Sequence, residues 1–220
     1  DMDAPPWWHY RKRNTLYADG FAPQGSRMLM QFLLVRENGP EKFLEWEPDF
    51  EHVEAWLESL KPPEWRWSID KDLASNGEVV FREHCGRCHG SYGGSDEYPE
   101  AVIRIDEIGT DRVRFDALTN VERNALNESW FGHFGRDAAS TGDRQRPEGY
   151  VAPPLDGVWA SAPYFHNGSV PTLWHVLHPE NRPPVWYRTP VGYDTEKVGL
   201  EVEIPSKKEF AAAVKKGMPS

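Results

Sequence analysis

The segment Cys85-Gly86-Arg87-Cys88-His89 contains both cysteines of this 220-residue chain, and three chemistries compete for it. A thioredoxin-like dithiol would follow a strand in a βαβ unit, whereas a helical pattern precedes this motif. A zinc site would want a second pair of Cys or His at finger-like spacing, and the other histidines do not form one. The third chemistry is attachment of a c-type haem through C-x-x-C-H. Two thiols three positions apart can each form a thioether with one haem vinyl group. The adjacent His89 then lies under the ring with its imidazole aimed at the iron. The pentapeptide is rare by chance. The expectation is one covalent haem c on Cys85 and Cys88, with His89 as the proximal iron ligand and with zinc or a bare dithiol as the alternatives.

Helical patterns must position this motif. From Ile69 to Cys85, Asp70 serves as an N-cap and Asp72 lies in the first turn, while Leu73, Gly77, Val80, Phe81 and Cys85 recur at helical spacing. Gly77 is a poor helix former, so it marks either a close approach by another segment or a tolerated exposed glycine. A second helix is expected over residues 49–60. Phe50, Val53, Leu57 and Leu60 form its apolar stripe, Glu51, Glu54 and Glu58 its wet face, and Pro62-Pro63 its stop. After the motif come a glycine-rich loop at 90–95, a short strand at 101–105, a helical segment near 112–130 and a long loop over 132–157.

Hydrophobic residues make up 39% of the chain and aromatics 13%, including ten Trp, alongside 19 Pro and 18 Gly. That balance suits long, stiff loops packed on large rings, and a planar cofactor would add the apolar mass that aliphatic residues lack. The net charge of −10 argues against nucleic acid as a partner, which needs clustered Lys and Arg. The one basic run, Arg11-Lys12-Arg13, reads as a solvated face. Between Glu37 and Glu64 nine acids face Lys42 and Lys61, a local balance of −7. Such a patch either steers a basic redox partner at low salt or is simply a soluble helix face. No stretch has the roughly 18 consecutive apolar residues of a membrane span. The opening Asp1-Met2-Asp3 has no apolar leader core, as in a cytoplasmic protein or a mature exported one. Haem c is attached after export, so the expected location is the periplasm.

The stretch from Ala152-Pro153-Pro154-Leu155-Asp156-Gly157 through Tyr164-Phe165-His166-Asn167-Gly168-Ser169-Val170-Pro171-Thr172-Leu173 resembles a loop and helix start of the di-haem cytochrome c peroxidase superfamily. The likeness is strongest to its rubber oxygenase-like cytochrome c branch. Asn181-Arg182-Pro183, Gly192-Tyr193-Asp194 and Val198-Gly199 continue the pattern, as do Trp7-Trp8, Lys12 and Asp19-Gly20-Phe21. Residues 53–60 resemble the closing helix of a cytochrome domain, yet they precede the haem motif. The resemblance implies a mostly α-helical fold: a cytochrome c-like haem domain with long loops over 62–220, preceded by an incomplete helical segment, residues 1–61, like the tail of a preceding domain. Members of the superfamily usually carry two C-x-x-C-H motifs, and this chain carries one. In this branch a distal His lies beyond the region where the chain stops. The chain therefore reads as a fragment of a larger cytochrome or as one that has lost those parts.

For the sixth iron ligand the chain offers two candidates, with an open site or a ligand from another chain as the alternatives. Met218, in Lys216-Gly217-Met218-Pro219, resembles the Met-Pro of many mono-haem cytochromes c, and a Met ligand raises the potential. His166 sits inside the family motif. Arg182 is a candidate to bind a haem propionate through its planar fork, with an ordinary surface ion pair as the alternative. Trp159, Tyr164 and Trp174 are candidates either to wall the haem or to fill an ordinary core. The function expected is electron transfer with a redox partner or within a larger electron-transfer complex. A peroxidase- or oxygenase-like enzyme, its second haem on a missing or partner segment, is the alternative, and a structural subunit of a redox complex is a third reading.

Overall fold

The structure, a computed structural model, describes residues 5–94, 96–117, 119–133 and 148–215. Two compact units share the chain. One is built from Pro6–Pro62 and Ile69–Asp156, the other from Pro63–Ser68 and the chain from Gly157 onward. This is a division by packing, whereas the division at 61/62 drawn from the sequence is one of likeness to cytochrome segments.

The motif-bearing unit opens with a 3-10 turn, Trp7–Lys12, and an antiparallel pair, β1 (Thr15–Leu16) with β2 (Ala22–Pro23). Helices α1 (Ser26–Leu29) and α2 (Pro40–Ser59) follow. α2 begins well before residue 49 because Pro40 takes its first turn, where a missing N–H loses no bond. Pro48 inside the helix removes one ladder bond, and this interior proline hides the first half of α2 from a reading by propensity. The inner row of α2 runs Phe43, Glu47, Phe50, Glu54 and Leu57, three and four residues apart. Phe43 is fully buried among Phe21, Ala22, Met28, Met30 and Phe131. The acids of α2 are not all on a wet face. Glu47 is buried and paired with Arg27, and Glu54 accepts a hydrogen bond from the Tyr10 hydroxyl at 2.7 Å.

Next come α3 (Lys71–His84) and α4 (Gly86–His89), then β3 (Val102–Arg104) and α5 (Ile105–Ile108). α6 (Val113–Asp116), α7 (Asn120–Glu128) and α8 (Trp130–His133) occupy the expected helical segment as three short pieces. α7 starts at a capping box, with the Thr119 and Glu122 side chains satisfying each other's backbone N–H. β4 (Gly149–Val151) then pairs antiparallel with β3, so part of the stretch read as a loop over 132–157 is strand.

In the other unit, Tyr164 and Val170 bridge the two sides of the turn that holds His166. α9 (Leu173–Leu177) is capped by Thr172, whose side chain accepts from the His175 N–H. β5 (Tyr187–Asp194) and β6 (Gly199–Glu203) form an antiparallel hairpin with a register shift between Arg188 and Tyr193, and α10 (Lys207–Lys215) follows. Trp65, Trp67, Trp159 and Tyr193 gather with ring centroids 4.7–6.3 Å apart. At those separations the rings pack on one another as a partly exposed aromatic cluster, with Trp67 exposed and the other three half-buried.

The expectation of a mostly α-helical chain is corrected here. Among the described residues the structure is 46% helical with 13% strand in three small sheets. β3 falls inside the strand expected at 101–105, and the others escaped notice for physical reasons. Pro190 and Gly192 interrupt β5 at its irregularity, where a bulge tolerates them. β3 and β4 are each three residues long, and β4 shows as a strand only through its pairing with β3 across 44 intervening positions.

Candidate functional site

The sequence motif lies at the junction of α3 and α4. Asp70 caps α3 as its residue type predicts, accepting from the Leu73 N–H at 2.9 Å. α3 ends where the Cys85 N–H donates to the Phe81 carbonyl, and a new turn starts from the Cys85 carbonyl, which accepts from the N–H groups of Cys88 and His89 at 3.1 and 3.0 Å. Cys85, Cys88 and His89 are thus held on one turn. All three are half-buried, and both thiols are free. Gly90 follows with φ +88°, and a Cβ there would collide with the Glu97 carbonyl. This position takes glycine because the chain must turn back immediately after His89.

The His89 Nδ1 lies 2.9 Å from the Pro153 carbonyl. A carbonyl only accepts, so Nδ1 carries the proton and Nε2 of the neutral ring keeps its lone pair. This is the arrangement of a metal-ligating imidazole whose other nitrogen is fixed by a backbone oxygen. Along α3, residues 71–80 are all exposed, Leu73 and Val80 included, so this helix presents apolar surface beside the two thiols. A Cβ on Gly77 would meet nothing within 4 Å, and the close approach anticipated there is not made among the described residues. Free thiols, an oriented imidazole and uncovered apolar surface fit a haem at this turn, with Cys85, Cys88 and His89 as the residues to hold it.

A network fixes the loop around His89. The Tyr92 hydroxyl donates to the His89 carbonyl at 2.8 Å and accepts from the Leu155 N–H at 2.7 Å. Lys12 pairs with Asp96 and Asp156 at 2.6 and 2.8 Å and lies 5.1 Å from the centre of the Tyr92 ring. The Asp156 carbonyl also accepts from Trp8 Nε1 and His9 Nε2, each at 2.8 Å. Lys12 is therefore not part of a solvated basic face. Arg13, half-buried like Lys12, donates to the Tyr17 carbonyl at 2.6 Å.

Burial lowers the pKa of His9 below its usual value, with the Asp156 contact opposing, and burial lowers that of His175 in the other unit. As pH falls below about 6.5, these histidines charge in the unfolded chain before they charge in the folded one. The unfolded state then binds more protons, so stability declines with falling pH. His9→Gln keeps a donor for Asp156 but cannot charge. Its melting temperature is expected to fall less steeply than that of the native chain between about pH 7 and 5. An equal slope would rule His9 out as a contributor.

The remaining candidates lie in the other unit or beyond the described residues. Arg182 donates Nε to the His175 carbonyl and Nη2 to the Val176 carbonyl at 2.9 and 2.8 Å. Its guanidinium lies 4.9 Å from the centre of the Phe165 ring. The fork thus caps the carbonyls of α9, whose negative dipole end favours a cation. His166 is half-buried in the turn between Tyr164 and Val170. Met218 lies outside the described residues. Tyr164 is buried, Trp159 belongs to the aromatic cluster, and Trp174 stacks on His178. Sequence reasoning missed Tyr92 and the acceptor role of Pro153. The only signal was their place, one just after the motif and the other inside the Pro-Pro loop.

Residues 149–187 match a family described as RoxA-like, cytochrome c-like. The match makes this part of the chain cytochrome c-like and implies haem binding. Pro153, the acceptor for His89, lies inside the matched residues, while the cysteine motif lies outside them. Two curated proteins of Sinorhizobium fredii (strain NBRC 101917 / NGR234) are similar, both of them uncharacterized. Protein y4iM is 34% identical over 172 residues, covering 69% of this chain and 38% of the relative. Protein y4iJ is 27% identical over 200 residues, covering 67% of this chain and 34% of the relative. The chain thus spans little more than a third of the length of either relative. No helix among the described residues is long and apolar enough to cross a membrane.

Proposed function

We propose that this chain is the haem-bearing part of a c-type cytochrome. One haem is attached through thioethers at Cys85 and Cys88, and His89 is its proximal ligand. The protein transfers electrons in the periplasm, to a redox partner or within a larger redox complex. The observation that carries this reading is the His89 imidazole, whose Nδ1–H is committed to Pro153. Nε2 is thereby the nitrogen available to iron, on a turn that also bears two free thiols. The bound haem supplies one-electron cycling between ferric and ferrous iron, with a potential set by its ligands and their hydrogen bonds. The chain's own part is to orient the ligand. Pro153 holds the ring, and the backbone bonds to the Cys85 carbonyl hold the turn. The periplasmic assignment follows from the chemistry of attachment, since thioethers to haem are made after export.

A second reading, a di-haem peroxidase- or oxygenase-like enzyme, is favoured by the RoxA-like match together with the greater length of the relatives. Its second haem would lie on a segment outside these 220 residues. Optical spectra of the full chain, matured with an export leader and haem-attachment machinery, separate the readings. Electron transfer predicts low-spin spectra in both oxidation states that ignore carbon monoxide. Binding of carbon monoxide to the reduced protein would reveal an open position and favour the enzyme. Absence of covalent haem after maturation would overturn both.

A further inference from the structure

We propose that Tyr92 is a positioning residue for the iron ligand, and that the turn at Trp7–Lys12 locks it in place from the far end of the sequence. The inference rests on the haem reading of Cys85, Cys88 and His89.

His89 is bound to the loop at 153–155 in two ways: directly through its ring, to the Pro153 carbonyl, and indirectly through its own carbonyl, by way of Tyr92 to the Leu155 N–H. The Tyr92 hydroxyl is the side-chain group that carries the second of these ties, bonding to both segments. Its single proton goes to the His89 carbonyl, because the Leu155 N–H can only donate to it. The ring is set as well. It meets Phe81 edge-on at 5.8 Å, at the last turn of α3 before Cys85, and Lys12 lies over it. Lys12 in turn grips Asp156, one residue beyond Leu155, and Trp8 and His9 hold the Asp156 carbonyl. The acceptor of the imidazole proton therefore sits on a loop fixed by residues more than 140 positions away in sequence.

The consequence concerns the strength of the Nδ1–H···O bond. A backbone acceptor at a well-defined distance makes the imidazole a stronger donor to the metal and favours the ferric state. Without the Tyr92 hydroxyl, the His89 carbonyl and the Leu155 N–H lose their common partner and the two segments are free to separate. The ring's hydrogen bond weakens, and the ferrous state gains.

The test uses the haem-loaded full chain and reads the midpoint potential, with Tyr92→Phe as the variant, which keeps the ring and loses the hydroxyl. The expected result is a roughly tenfold shift of the redox equilibrium toward the ferrous form, about +59 mV for one electron. Lys12→Met, which releases Asp156 and leaves Tyr92 intact, is expected to shift the potential the same way by less, and it stands in if Tyr92→Phe does not fold. A Tyr92→Phe protein that is less stable but keeps the native potential would show Tyr92 to be merely structural and would overturn the inference. So would a fall in potential. If the native chain acquires no covalent haem, the underlying haem reading fails instead, which is a separate outcome.

Discussion

Replacing both Cys85 and Cys88 by serine is expected to abolish covalent haem attachment completely, so that a denaturing gel stained for haem shows a blank polypeptide. The argument is one of bond type. A thioether survives denaturation, whereas the iron bond to an imidazole depends on the folded turn. Serine is close in size to cysteine, and the turn is built from backbone bonds to the Cys85 carbonyl that do not use the thiols. Both sites are only half-buried, so substitutions there belong to the class that changes stability little. His89 keeps its tie to Pro153, so any haem the variant retains while folded should leave with denaturant. Each single variant, keeping one thioether, should still stain, with a shifted reduced absorption band. Stain remaining on the double variant would place the attachment elsewhere and end the assignment of this motif.

Phe43→Ala is expected to destabilise the motif-bearing unit by about 3–5 kcal/mol, the range for deleting a large aromatic side chain from a core. Phe43 is 0% exposed, and its ring meets Trp130 and Phe131 edge-to-face at 5.1 and 5.7 Å and Trp46 at 5.6 Å. The Arg27 guanidinium lies 5.9 Å from the ring centre. Removing the ring opens a cavity beside the buried Arg27–Glu47 pair, where water or a slack ion pair adds to the cost. Such a loss is a large share of the roughly 5–15 kcal/mol that holds a typical domain together. Val53→Ala, on an exposed position of the same helix, is the control and should cost less than about 0.5 kcal/mol. Chemical denaturation midpoints read both. A Phe43→Ala midpoint within error of the native one would mean that this core does not hold the unit together.

The sequence was most legible where local chemistry decides. Asp70 was readable as the cap of α3 because an N-cap depends on a side chain and an N–H three residues away. Helix α2 was half-legible. Its C-terminal half showed an apolar stripe, although Val53 of that stripe is exposed. Its inner row also uses Glu54, read as a wet-face residue until Tyr10 is seen opposite it, and Glu47, which lies before the expected start and pairs with Arg27. Lys12 misled for the same reason, since a lysine in a basic run reads as solvated unless its acids, 84 and 144 residues away, are known. Strand β3 falls within the strand expected at 101–105, whereas β4 is too short to show a period and β5 is broken by proline and glycine, so the pairing into small sheets stayed hidden.

What the sequence determined by itself is the grouping of Cys85, Cys88 and His89, because two thiols and an imidazole within five consecutive residues need no fold to be recognised as a set. It also determined the helix that leads into that motif and the likeness to cytochromes in the Pro-Pro loop. Only the tertiary structure decided which nitrogen of His89 is left for a metal. The partner that settles it is a backbone carbonyl 64 residues away. Every residue has such a carbonyl, so no side-chain pattern could have pointed to the one at Pro153.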